Sequence, residues 1–130
     1  MRHHQVLFDN VRRHPGMYFL EETYAVIAAF LQGYDAAYEG GLLAGFREWL
    51  VVRLMTGSNL GWSALVLHAA FPGTQSPQDA LRTKPNAERV AIDVLFNLLA
   101  EFDEMRKQHE GLKDIFVAYE RYVSRDIAAQ

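Results

Sequence analysis

Apolar side chains recur at three- and four-residue intervals through most of this chain, the spacing that lines one face of an α-helix. Val6, Leu7 and Val11 set that rhythm within residues 3–12 and predict a short first helix. It must stop within Arg12-Arg13-His14-Pro15-Gly16-Met17-Tyr18-Phe19, because proline fixes its own φ and pushes His14 out of the helical region, while Gly16 can take a positive φ at no steric cost. From Thr23 to about Glu39, the residues Val26, Ile27, Phe30, Leu31, Tyr34 and Tyr38 form a second stripe. Thr23 suits its N-cap, and Glu21 and Glu22 suit the positive end of its dipole.

Gly40-Gly41 ends that helix, and Leu42, Leu43, Phe46, Trp49, Leu50 and Leu54 carry a third, in which Gly45 admits a close neighbour. A fourth, capped by Ser58 or Asn59, holds Trp62, Leu65, Val66, Leu67, Ala69 and Ala70 until Phe71-Pro72-Gly73 stops it. Its Val and Leu content leaves a strand as the alternative. Residues 72–86 contain three of the four prolines and read as a surface crossover. Within it, Ser76-Pro77-Gln78-Asp79 has the form of a capping box and starts one short helical turn ending near Arg82. The strongest pattern runs from about Ala87 to Gln108, with Ala87, Ala91, Val94, Leu95, Leu98, Phe102 and Met105 on one face and Glu88, Asp93, Asn97, Glu101, Glu104 and Lys107 opposite. Gly111 is the expected C′ residue, and Leu112, Ile115, Phe116, Tyr119, Val123 and Ile127 form the last helix. The expectation is an all-α fold, a single domain over residues 1–130 built as a bundle of five to six helices.

Composition narrows the function. A chain of 130 residues, half of them hydrophobic and 22 % charged, has enough apolar surface for its own core. With no cysteine, disulfides and thiolate metal sites are excluded, and Met1-Arg2-His3-His4 lacks the apolar run of a signal peptide, so a cytoplasmic location is expected. Asp35, Arg47, Glu48 and Arg53 interrupt the longest apolar stretches, so no membrane partner is expected. A net charge of −3 disfavours a phosphate backbone, so nucleic acid is not an expected partner either.

Candidate chemistry is sparse. No pair among His3, His4, His14, His68 and His109 has the i, i+4 spacing that would place two imidazoles on one helical face, so no metal is expected. Glu101, Asp103 and Glu104 crowd the wet side of one helix rather than facing each other across a cleft. They read either as a solubilising face or as a surface for a basic partner. Ser58, Ser63, Ser76 and Ser124 lack a nucleophile elbow, and Gly40-Gly41-Leu42-Leu43-Ala44-Gly45 lacks the lysine of a phosphate loop. No cofactor and no catalysis are expected. Aromatics make up 12 % of the chain; most fall on core stripes, while Tyr18, Tyr24, Tyr34, Tyr38 and Tyr122 are the tyrosines expected to be partly exposed.

Arg13-His14-Pro15-Gly16-Met17-Tyr18, then Gly33-Tyr34, then Gly45-Phe46-Arg47-Glu48-Trp49-Leu50, then Asn59-Leu60-Gly61-Trp62 form an ordered series. The series resembles small bacterial cytoplasmic proteins that serve as immunity partners in polymorphic-toxin and contact-dependent inhibition systems. The likeness covers the first half of the chain, with a weaker echo at Leu98-Leu99-Ala100-Glu101-Phe102. This chain has His14 where those proteins carry arginine before the proline, and Phe19-Leu20 where they carry leucine or isoleucine and then glycine. The same Pro-Gly-Met-Tyr string resembles the arm before the ATPase domain of type II topoisomerase B subunits, but that domain's glycine-rich lid motifs do not follow here. The immunity resemblance implies a non-enzymatic protein that binds and neutralises the C-terminal domain of a cognate toxin. Arg13, Tyr18, Tyr38, Glu101 and Glu104 are the expected partner-binding residues. The alternatives are a ligand-binding or catalytic helical domain, with a pocket using His68 and Trp62 or Tyr34, and a homo-oligomeric scaffold.

Overall fold

The computed structural model describes residues 2–57 and 59–129, and every regular element among them is helical. In chain order these are α1 (Arg2–Arg13), a 3₁₀ turn (Pro15–Met17), α2 (Tyr24–Ala37), α3 (Phe46–Leu54), α4 (Trp62–Ala70), α5 (Pro77–Thr83), α6 (Ala87–Lys107) and α7 (Gly111–Ala129). The all-α class agrees with the sequence pattern, but the described helices number seven rather than five to six. The difference lies in the proline-rich crossover. Ser76 caps it, accepting from the Asp79 N–H at 3.4 Å, Pro77 supplies a preset φ at the first position, and burial of Pro77 and Ala80 turns the expected single turn into α5.

α6 is the spine, with α2, α3, α4, α5 and α7 all packed on it. Its buried face is Ala87, Ala91, Leu95, Phe96, Leu98, Leu99 and Phe102, broader than the predicted stripe because neighbours cover it from several sides. Phe46 joins three helices at the centre. Fully buried, it meets Trp49 at 6.2 Å, Trp62 of α4 at 5.8 Å and Phe102 of α6 at 5.2 Å between ring centroids. Ile27, Leu31, Leu50, Leu65 and Leu95 complete this region of the core.

Several boundaries moved for tertiary reasons. Leu42 and Leu43 are buried but lie before α3, because Gly45 at φ +91° breaks the helical path. That segment is pinned instead by side chains: the Leu43 N–H donates to Asp35 Oδ1 at 2.8 Å, and Arg106 donates to the carbonyls of Gly41 and Leu42 at 2.9 and 2.7 Å. A Cβ on Gly45 would stand 2.7 Å from Leu112 Cδ1, so the close approach expected at this glycine is that of α7. α4 is helical rather than extended and begins after Gly61; Asn59 precedes it in a turn, and Ser58 lies outside the described residues. Gly111 is not the C′ residue. Glu110 takes the left-handed conformation, φ 57°, and Gly111 opens α7, where a Cβ would meet the Met105 carbonyl oxygen at 2.2 Å.

At the start of α2 the Thr23 hydroxyl accepts from the Val26 N–H at 3.3 Å, the N-cap expected of it. Glu88 of α6 adds a second acceptor, taking the Tyr24 N–H at 2.6 Å, so this carboxylate lies against the positive end of α2 rather than on a purely wet face. No described helix is long and apolar enough to cross a membrane.

Candidate partner-binding surface

The bend between α1 and α2 is closed by its own backbone. Met17 N–H donates to the His14 carbonyl at 3.0 Å, and the N–H groups of Tyr18 and Phe19 both donate to the Pro15 carbonyl, at 3.0 and 2.9 Å. Gly16 is not among the residues with positive φ, so the turn is made by 3₁₀ geometry and the proline, without the left-handed step its sequence allowed. Phe19 alone of its large side chains turns inward, its ring edge-on to Phe30 at 5.4 Å. Around that anchor Met17 is 82 % exposed, Leu20 fully exposed and Tyr18 43 % exposed. These groups face water on a turn fixed by its own backbone hydrogen bonds.

Packing accounts for the other segments of the ordered series. Tyr34 sits in a ring cluster with Phe8, Phe30, Tyr38 and His4. Gly45 admits α7, and Phe46 and Trp49 fill the core beside Phe102. Arg47 ties three parts of the chain together, donating to the Leu60 carbonyl at 2.7 Å, to Glu48 at 3.2 Å and to the Tyr119 hydroxyl of α7 at 3.3 Å. Trp62 covers Phe46. Among the described residues of that series, the bend turns Met17 and Tyr18 outward, Tyr18 still touching Phe19 at 6.3 Å between ring centroids, and elsewhere Val6, Met55 and Ile127 are exposed as well.

A groove of about 250 Å³ runs between α1 and α6. Phe8, Leu42, Leu43, Phe96, Leu99 and Phe102 supply its apolar lining, and His4, Gln5, Asp9, Arg12, Asp103 and Glu104 its polar one. α1 is lashed across by side chains. Gln5 donates to Asp103, Arg12 donates to Asn97 at 3.0 Å and pairs with Asp93 at 3.6 Å, and buried His4 meets the Tyr34 hydroxyl through Nδ1 at 2.6 Å. A second depression, about 300 Å³, continues past Arg12 and is bordered by Pro15 and Glu22, the two flanks of the bend. The two depressions share Arg12.

The residues expected at a partner surface are partly brought together. Arg13 closes α1, exposed, next to the bend that carries Tyr18. Tyr38, 47 % exposed, lies edge-on to His4 at 4.7 Å, and His4 and Glu104 both line the groove. Glu101 points elsewhere, pairing with Arg53 of α3 at 2.6 Å. Glu104 pairs with Lys107 at 3.3 Å, an exposed pair worth little to stability. Tyr24 is a correction: it is 3 % exposed, donates to the Ser63 carbonyl at 2.6 Å, and has its pKa pushed well up by burial. Sequence reasoning missed Met17, Leu20, His4 and Asp9. Leu20 had a readable signal, an apolar residue set between Phe19 and Glu21 outside any helical stripe; the burial of His4 had none, since it depends on α2.

Neither depression is lined by His68, Trp62 or Tyr34. Among the described residues no group of three or more His, Asp or Glu side chains is placed to hold a metal ion. The chain matches no protein-family model, no curated protein and no solved structure.

Proposed function

We infer that this chain is a non-enzymatic immunity-type protein that binds a toxin domain in the cytoplasm and neutralises it, using the α1–α2 bend as the anchor of its contact surface. The observation that carries this reading is the outward display of Met17, Tyr18 and Leu20 on a turn whose backbone is already hydrogen-bonded and whose Phe19 is docked. A preorganised apolar anchor loses little freedom on binding, so more of its contact energy reaches affinity. Tyrosine and arginine at the same place, Tyr18 beside Arg13, are the residue types that dominate interface energetics. The resemblance of the ordered series to immunity partners supplies the class of ligand, and a net charge of −3 suits a basic toxin.

Coexpression with the product of the neighbouring gene tests the assignment. The expected outcome is restored growth of a host expressing that product, with the two proteins eluting as one complex. Absence of both the complex and the protection contradicts it.

A further inference from the structure

A stable protein interface covers about 800 Å² on each partner, roughly a tenth of the 8097 Å² this protein exposes. Three side chains of a bend do not supply that area. The surface must extend, and beyond the depression at Pro15 and Glu22, which shares Arg12 with it, lies the α1–α6 groove. We propose that this groove receives a lysine or arginine side chain of the partner, its stem on the apolar floor and its cation at the carboxylate rim. This rests on the partner-binding reading and names what the partner must present.

Charge comes first. Among the lining residues Asp9, Asp103 and Glu104 are carboxylates, and Arg12 is the cation beside them. Arg12 is directed to the far end, against Asn97 and Asp93. Asp103 is met by Gln5 and by Lys107 at 3.2 Å, and Glu104 by Lys107, but the Asp9 carboxylate has no hydrogen bond or ion pair among the described residues. An exposed carboxylate on an apolar groove attracts a cation and disfavours an anionic or neutral occupant.

The floor also suits such a group, and the protein already demonstrates the chemistry at both margins. Arg12 lies over the Phe96 ring at 5.7 Å, and Arg106 lies over the Phe102 ring at 5.3 Å. Both rings line the groove. A guanidinium over a phenyl face is attracted by the ring quadrupole, and the methylene stem of Arg or Lys covers apolar surface while its head stays at the polar edge.

Two short peptides probe this without the partner: acetyl-Ala-Leu-Arg-Leu-Ala-amide and the same peptide with citrulline, the uncharged isostere of arginine. Titrated into the isotopically labelled protein and followed by amide NMR shifts, the arginine peptide is expected to shift residues of α1 and α6 around Asp9 and Ala100 saturably, with a Kd on the order of 1 mM. The citrulline peptide and the Asp9→Asn variant should each weaken binding at least about fivefold. Ala100→Trp places a large ring in the groove from an exposed position that lines it, and should abolish the shifts while the protein still melts cooperatively. Equal binding of the two peptides, no saturable shift, or an undiminished response in the folded Ala100→Trp variant overturns the groove assignment. Because neither peptide is the partner, a negative result here leaves coexpression protection intact, and a failure of protection leaves the peptide result standing.

Discussion

At the scale of single residues, the tyrosines of this protein are divided between packing and display, and burial decides which. Tyr18 and Tyr38 reach water, whereas Tyr34 lies partly covered beside His4, Phe8 and Phe30. Burial, together with the hydrogen bond and charge of Tyr38, pushes the Tyr34 phenol up to about 12 from its ordinary 10.0. Burial raises Tyr24 in the same direction. A phenol whose pKa is higher folded than unfolded contributes stability that is fully present below the unfolded value and is lost as the pH rises toward the folded one. Thermal unfolding measured from neutral pH upward should therefore show little tyrosine-linked change up to about pH 9, then a falling Tm between about pH 10 and 12. Tyr34→Phe should flatten that fall. An unchanged slope in the variant contradicts the assignment.

The elements show where local pattern sufficed and where it failed. Three- and four-residue periodicity placed α2 and α6 closely, because an amphipathic stripe is a property of consecutive residues. Proline before glycine located the bend for the same reason, since both restrict or free the backbone locally. The start of α3 was not legible, because whether Leu42 and Leu43 are helical depends on Asp35 and Arg106, one of them 64 residues away from Leu42. The groove was hidden for a related reason. Its walls come from opposite ends of the chain, and His4 on the first helix becomes buried only when Tyr34 and Tyr38 cover it.

Two glycines test this reading of the elements with opposite signs. Gly33 lies exposed inside α2, with nothing within 4 Å of a Cβ built there, so Gly33→Ala should stabilise by about 0.8 kcal/mol through helix propensity. Gly111 sits where a Cβ would strike the backbone of α6, and Gly111→Ala should cost about 2 kcal/mol or more by forcing the α6–α7 turn apart. Denaturant unfolding of both variants measures this. A destabilised Gly33→Ala or a neutral Gly111→Ala would show that the helix register at those positions is wrong.

For the whole molecule, the helices are gathered on α6. The Phe46 cluster locks α3, α4 and α6 together, and α1 is tied over the groove by Gln5, His4 and Arg12. Outward from the bundle stand Met17, Tyr18 and Leu20 of the bend, and the α1–α6 groove opens between its walls. Little of this division was visible in the sequence, where the residues of the ordered series look equivalent. Only in three dimensions do most of them resolve into core and stitching, leaving the bend as the displayed part.

The most direct test compares the native chain with a variant carrying Met17→Ala, Tyr18→Ala and Leu20→Ala, by calorimetric titration against the product of the neighbouring gene, with Tm recorded for both. Because Met17 and Leu20 face water and Tyr18 adds a ring contact with Phe19 at 6.3 Å between centroids, the account predicts a Tm shift of no more than a few degrees and an affinity loss of at least about a hundredfold. An undiminished affinity in the folded variant would contradict it.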